Sequence, residues 1–269
     1  LVSCQAKLIE ADLAFEKIVF NRLKTDNTYR FAYHHLIIFV KKYKSIFFDL
    51  DHTLWDFETN SREALSALHK IYKLESHRIG HDEFLIVFKK INLGLWNLFD
   101  TGQIKQEVIR TQRFHQIFQE FGVNEYELSL KFSAEYVSEL PKKKNLLPHA
   151  KVVLDYLISS YPLHIITNGF SEIQTAKLTS GGVLHYFESI VTSESTGYRK
   201  PAKEIFEYAL YQNNLQPHEV VMIGDNLTTD MGGAKNASLD TIFFNPERIK
   251  HDTAVTHEIA SLKELFELL

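Results

Sequence analysis

The chain has one cysteine, Cys4, in 269 residues. An internal disulfide is excluded, and a reducing compartment such as the cytoplasm fits. Positive charge is not in excess: 30 Lys and Arg stand against 34 Asp and Glu, a formal net charge of −4. No general basic field gathers nucleic acid, so a small anionic substrate would need a local positive site. Long hydrophobic runs are missing too. The apolar stretch Phe31 to Val40 is interrupted by His34 and His35, and it is too short for a bilayer span of roughly 20 residues. The leading segment lacks the basic start and small-residue cleavage site of a secretory signal. Methionine occurs only at Met222 and Met231, and residue 1 is leucine. Residues 1–40 are expected to be either sequence upstream of the true start or a helical arm. In the arm, Leu8, Ala11, Phe15, Val19 and Leu23 would share one face. No internal repeat or low-complexity tract occurs, and the histidines show no metal-ligand spacing.

What is present is an ordinary globular composition, 45% hydrophobic and 24% charged, long enough for a core with a smaller inserted domain. Tyr43 to Leu50 reads as a strand buried on both faces. Similar runs recur at Leu163 to Thr167, Ser189 to Thr192, Val220 to Gly224 and Thr241 to Phe244. Between them lie helical patterns. One is His149 to Ser160, with Val152, Val153, Tyr156 and Leu157 at helical spacing; another carries Ile205, Phe206, Ala209 and Leu210. Strands alternating with helices predict a parallel α/β sheet with right-handed crossovers. Ligands of such sheets bind at the carboxyl ends of the strands. The alternation breaks between the first two strands. Ser61 to Leu74, Asp82 to Phe99, Gln106 to Phe121 and Glu125 to Leu140 read as helices, with turn signals at Gly80, Gly102 and Gly122. Residues 58–145 are therefore expected to form a helical cap over the carboxyl edge of a Rossmann-like core built from 41–57 and 146–269.

The strongest chemical signal is the run from Phe47 to Leu54, FFDLDHTL, in which an apolar strand leads into Asp49 and Asp51. Residues two apart on a regular strand face the same way, so both acids are expected in one pocket. Their repulsion needs compensation, commonly by a divalent cation. Three further elements follow in order. Thr167, Asn168 and Gly169 end the second strand, where a hydroxyl and a turn suit phosphate oxygens. Lys200 precedes Pro201, which is expected in the first turn of a helix. Asp225 and Asp230 follow the strand that ends at Gly224 and add oxygen ligands suited to a hard cation.

From about Lys41 onward, DLDHT, the threonine of ITNG, the lysine of RKP and GDNLTTD together resemble the haloacid dehalogenase superfamily, with a helical insertion similar to its C1-type cap. FFDLDHTLWDF, LWNLFDTGQI, IITNGFSEIQTAKL and KPAKEIFEYAL resemble most the house-cleaning pyrimidine 5'-nucleotidases. The resemblance implies Asp49 as a nucleophile forming an aspartyl-phosphate and Asp51 as general acid and base. It implies Thr167 and Lys200 as holders of the transferring phosphoryl group, with Asn168 assisting. It implies Mg2+ on Asp49, the Asp51 backbone carbonyl and Asp225, with Asp230 supporting the metal through its waters. The implied substrate is a small phosphorylated metabolite, a pyrimidine nucleoside monophosphate in ribo or deoxy form. A phosphatase of another small metabolite, a sugar phosphate or phosphoglycolate, a phosphoglucomutase, and a non-catalytic binding module are the alternatives. The acid at Asp51 argues against a dehalogenase, whose halide leaving group needs no proton. Trp55, Phe57, Trp96 and Phe99 could stack on a base, although Leu93, Trp96 and Phe99 share the spacing of a buried helix face, and packing is the favoured expectation.

Overall fold

The computed structural model describes residues 42–269; the expectations for residues 1–40 lie outside the described residues. Six parallel strands form one sheet: β1 Ser45–Phe48, β2 Leu163–Thr167, β3 Phe187–Thr192, β4 Val220–Gly224, β5 Asp240–Phe244 and β6 His257–Ile259, in the order β3-β2-β1-β4-β5-β6. β1, β2 and β4 are wholly buried, as their continuous apolar runs require when helices cover both faces. The strand order reverses at β1, which pairs β2 on one side and β4 on the other. Such a switch point leaves a crevice at the carboxyl ends. Sequence reading gives five strands. The sixth, three residues long and only partly buried, lacks the apolar run that marks the others.

After β1 the chain leaves the sheet for α1 Phe57–Ile71, α2 His81–Asp100, α3 Gln106–Glu120 and α4 Tyr126–Glu139. Asp56 caps α1, its carboxylate accepting from the Thr59 amide at 3.0 Å. Gly102 and Gly122 follow α2 and α3 with φ of +77° and +76°, a conformation that disfavours a Cβ. Three helices each present aromatic residues four apart: Phe84 and Phe88, Phe114 and Phe118, Phe132 and Tyr136. One helical turn puts each pair on one face, and the faces meet. Phe114 lies 4.7 Å from Phe132 and Phe88 5.4 Å from Tyr136, ring to ring. The connectors into and out of the insertion are tied together. The Asn60 side chain donates to the Asn145 carbonyl at 2.8 Å and accepts from the Asn145 amide at 3.0 Å, and the Leu147 amide donates to the Leu54 carbonyl at 2.9 Å.

α5 Ala150–Leu157 buries Ala150, Val153, Leu154 and Leu157. Val152 and Tyr156, expected on that face, are exposed instead, because the stripe facing the sheet runs one residue to the side. α6 Ser171–Ser180 follows β2, and α7 Lys203–Gln212 precedes β4. Pro201 lies ahead of α7, outside the first turn where the sequence suggested it. Among the described residues no helix is long and apolar enough to cross a membrane.

His164 sits inside β2, buried, with its ring against Phe47 at 5.5 Å and Nδ1 2.8 Å from the Ser189 hydroxyl. Burial pushes its pKa down to about 4, so the unfolded chain takes up the proton first. Stability is then full above about pH 6.5 and drains away as pH falls toward 4. Thermal melts should show Tm falling between pH 6.5 and 5 in the native protein. His164→Gln should lose about 2–4 °C less over that window. Identical pH profiles would assign the loss to other groups.

Candidate active site

Asp49, Asp51, Thr167, Asn168, Lys200, Asp225 and Asp230 line one cavity of about 970 Å³. Strand alternation is not what brings the first two acids together. β1 ends at Phe48, so Asp49 and Asp51 lie beyond its last residue. The Asp49 amide still donates to the Ile223 carbonyl of β4 at 2.9 Å, and the amides of Leu54 and Trp55 fold back onto the Leu50 carbonyl at 2.9 Å each. His52 takes a left-handed φ of +64° within this loop. A tight turn therefore aims both carboxylates at the cavity.

The two acids have different partners. The Lys200 ammonium contacts Asp49 at 2.6 Å, Asp230 at 2.6 Å and the Ile166 carbonyl at 2.9 Å. Burial alone would lower the Lys200 pKa, but the charges of Asp230 and Asp49 outweigh it and hold the group above the ordinary lysine value. Asp51 is bound by Lys177, at 2.6 and 2.7 Å to its two oxygens, and by the Gln174 amide at 3.1 Å. Burial raises Asp51; Lys177 and Gln174 together overcome it and keep the carboxyl below its ordinary value. Lys177 in turn lies 4.6 Å over the ring of fully buried Trp55. Asn168 braces Lys200 from behind: its Oδ1 accepts from the Lys200 amide at 2.8 Å, while Nδ2 donates to the Lys200 carbonyl and to Asp100, each at 2.9 Å. The Thr167 hydroxyl accepts from Gln174 at 2.7 Å and from the Gly169 amide at 3.1 Å.

The donor set fits a hard divalent cation. Asp49, Asp225 and Asp230 each offer a carboxylate oxygen, all within 4.8 Å of one another, and the Lys200 ammonium contacts Asp49 and Asp230. Burial, then Asp49 and Asp230, raise Asp225 well above the carboxylate range. Asp49 is pushed up to about 7, first by burial, with Lys200 opposing and Asp230 and Asp51 adding. Such mutual repulsion is what a bound cation relieves.

Lys177, Gln174 and Thr53 are parts of the site that sequence reasoning left without a role. The first two are three apart on α6, so one helix face carries both. Thr53 donates toward Asp49 and Asp225 at 3.3 Å each. The aromatic residues divide. Trp55 is core. Phe99 packs with Leu95 and Ile109. Trp96 lines the cavity beside Phe170 at 6.0 Å, and Leu93, expected on the buried face, is exposed because α2 turns that side toward the cavity mouth.

The sequence profile of the haloacid dehalogenase-like hydrolases matches residues 46–244. The pyrimidine 5'-nucleotidase PynA of Streptococcus pneumoniae (strain ATCC BAA-255 / R6) is 34% identical over 233 residues, covering 84% of this chain and 95% of that protein. The pyrimidine 5'-nucleotidase YjjG of Escherichia coli (strain K12) is 30% identical over 231 residues, covering 85% and 98%. The crystal structure of the HAD-hydrolase YfnB from Bacillus subtilis bound to magnesium aligns with a TM-score of 0.77 at 30% identity, covering 85% of this chain and 99% of that one.

Gly224 ends β4 where the Asp230 carboxylate folds back over it; a Cβ there would fall 2.4 Å from that carboxylate. Gly224→Ala must push Asp230 off Lys200. Phosphate release should drop at least about tenfold, the loss of a charge-assisted contact. Gly94, inside α2, has nothing within 4 Å of the same position. Gly94→Ala should therefore keep full activity and gain about 0.5–1 kcal/mol of stability. Unchanged turnover in Gly224→Ala would show that the position of Asp230 is immaterial.

Proposed function

The chain belongs to the haloacid dehalogenase-like hydrolase family, and we propose that it is a magnesium-dependent phosphatase of pyrimidine nucleoside monophosphates, deoxy forms included. The observation that carries the reaction is the pairing of Asp49 and Asp51 in one cavity, each held by its own lysine. Likeness to two pyrimidine 5'-nucleotidases over nearly their whole length supports the substrate class. So does a cavity roomy enough for a nucleotide and lined by Phe57, Phe88, Trp96 and Phe170.

Asp49 attacks phosphorus, and the ester oxygen leaves as the aspartyl-phosphate forms. Asp51, ionised at rest beside Lys177, takes up a proton from solvent as the anionic phosphate enters next to it and gives that proton to the leaving oxygen. It then takes a proton from the water that attacks the acyl phosphate, which frees phosphate and restores Asp49. One acid thus serves in both half-reactions, and its place beside the nucleophile makes that feasible. Lys200 holds Asp49 by a hydrogen bond and offsets the negative charge that would repel an incoming phosphate. Thr167 and Gly169 line the phosphate end, and Asn168 acts through Lys200. Asp49, Asp225 and the Asp51 backbone carbonyl would hold magnesium, with Asp230 in support. When bound, the ion supplies charge neutralisation at the phosphoryl oxygens.

A phosphomonoester screen with magnesium should rank dUMP, dTMP and UMP above sugar phosphates and phosphoglycolate. Isomerisation of glucose 1-phosphate to the 6-phosphate would instead identify a mutase, and a clear lead for phosphoglycolate would remove the nucleotidase assignment.

Excess chelator should abolish turnover, and Asp49→Asn should leave no measurable release. Asp51→Asn should cost about 10²–10⁴-fold with nucleotides and far less with an aryl phosphate, whose leaving oxygen needs little help. Equal losses along a leaving-group series would remove Asp51 from the role of general acid.

A further inference from the structure

Arg113 lies in the middle of α3 and is 5% exposed. Among the described residues the buried lysines Lys177 and Lys200 each contact carboxylates; Arg113 contacts none. Its Nη1 donates to Asn92 Oδ1 at 3.0 Å, and its Nε has no hydrogen-bond partner. The guanidinium is packed among the rings of Tyr136, Phe114 and Phe88, with centroids 4.8, 5.2 and 5.8 Å away. Those faces return part of the cost of burying the charge. A buried cation without an anion remains expensive, more so with a donor unsatisfied.

Both Arg113 and Asn92 line the same cavity as Asp49 and Asp51, but they come from the helical insertion rather than the sheet. The missing acceptor is therefore most economically brought by the substrate. We infer that Arg113, oriented by Asn92, selects substrates by donating to an oxygen acceptor on the part of the molecule that reaches the insertion. Under the nucleotidase reading, on which this rests, the acceptor is a carbonyl of the base: the O2 that all pyrimidines share, or the O4 of uracil and thymine. A guanidinium only donates, so an amino group in that place is rejected. Purines and phosphosugars do not bring a pyrimidine carbonyl to the same point.

The test compares native protein, Arg113→Met and Arg113→Lys on dUMP, dCMP and deoxyribose 5-phosphate, which lacks the base. Arg113→Met should lose about 10- to 100-fold in kcat/KM on a nucleotide, mostly through KM, as expected for a lost hydrogen bond to a charged group. On deoxyribose 5-phosphate the loss should stay under about threefold. Equal loss on dUMP and dCMP assigns O2; loss on dUMP alone assigns O4. Arg113→Lys should recover part of the effect. Because the methionine removes an unpaired charge from the interior, Tm should hold or rise. Equal loss on the baseless substrate together with a lowered Tm would make Arg113 a packing residue and overturn the inference. Full nucleotide kcat/KM in Arg113→Met would overturn it too. Should Arg113→Met not fold, Asn92→Asp decides: a carboxylate there pairs the guanidinium, so Tm should rise while nucleotide kcat/KM falls. Absence of either change counts against the assignment. A native protein inactive on both nucleotides but active on other phosphomonoesters refutes only the nucleotidase reading. Arg113 is then judged on the best of those substrates, where a loss below about threefold in Arg113→Met refutes the inference.

Discussion

Lys200 contacts two buried carboxylates and the carbonyl that precedes Thr167. That single ammonium joins β1 through Asp49, β2 through Ile166 and the segment after β4 through Asp230, the three places where the sheet opens its crevice. Its loop is not free to wander, because the Asn168 side chain grips the Lys200 backbone from both sides. Asp225 nevertheless adds a third acid beside Asp49 and Asp230, with no ammonium contact among the described residues. The carboxylate set carries more negative charge than its surroundings neutralise, and the raised Asp225 and Asp49 carboxyls express that imbalance. A protein assembled only for stability would replace such a cluster with apolar side chains. This one retains it where a cation and a phosphate would complete the charge balance.

Asp51 is two residues from Asp49 and is treated in the opposite way. Its lysine comes from α6, on the far side of the β2 connection, and rests on the Trp55 ring. The resting displacements divide the two acids in the sense opposite to their roles, since a nucleophile works ionised and a general acid protonated. A cation held at Asp49 would lower its pKa, and an incoming phosphate would raise that of Asp51. Each has its own lysine, but Asp49 is the more deeply buried and is crowded by Asp230 and Asp51, whereas Asp51 gains the Gln174 amide beside Lys177.

The core was legible because burial on both faces leaves an unmistakable trace. β2 and β4 have the limits that the apolar runs of Leu163 to Thr167 and Val220 to Gly224 mark. β6 leaves no such trace, being short, at the sheet edge and partly polar. The acids and Lys200 were legible as types in order along the chain. What holds them was not, because it depends on which helix face meets the loop: Gln174 and Lys177 share a face, yet nothing local says that the face meets Asp51. Arg113 carries a clue in the sequence itself. Ile109, Arg113 and Ile117 are four apart, and both isoleucines are buried, so the arginine stands in an apolar stripe where a surface residue has no place. The α2 residues misled for a related reason. Leu93 and Phe99 are six apart, about 120° round the helix, and a helix beside a cavity has a face that is neither core nor surface.

That third kind of face separates the work of the two layers. The sheet edge supplies groups whose chemistry is the same for any phosphomonoester: a nucleophile, a proton carrier, a cation site and a lysine. They are fixed by the tight turn after β1 and by short hydrogen bonds among the segments that follow the strands, which leaves little room for variation. The insertion supplies Trp96, Asn92 and Arg113, none of which touches the phosphate machinery by any contact seen here. Its aromatic core is held by ring contacts among Phe84, Phe114, Phe118 and Phe132, and of the three only Arg113 lies against that core, on the Phe114 ring. Residues on its cavity side can therefore change without unfolding the helices and without disturbing the reacting carboxylates. An unsatisfied arginine is affordable in that position because the insertion's stability comes from elsewhere, and it is useful there because the reaction's chemistry is already fixed below it.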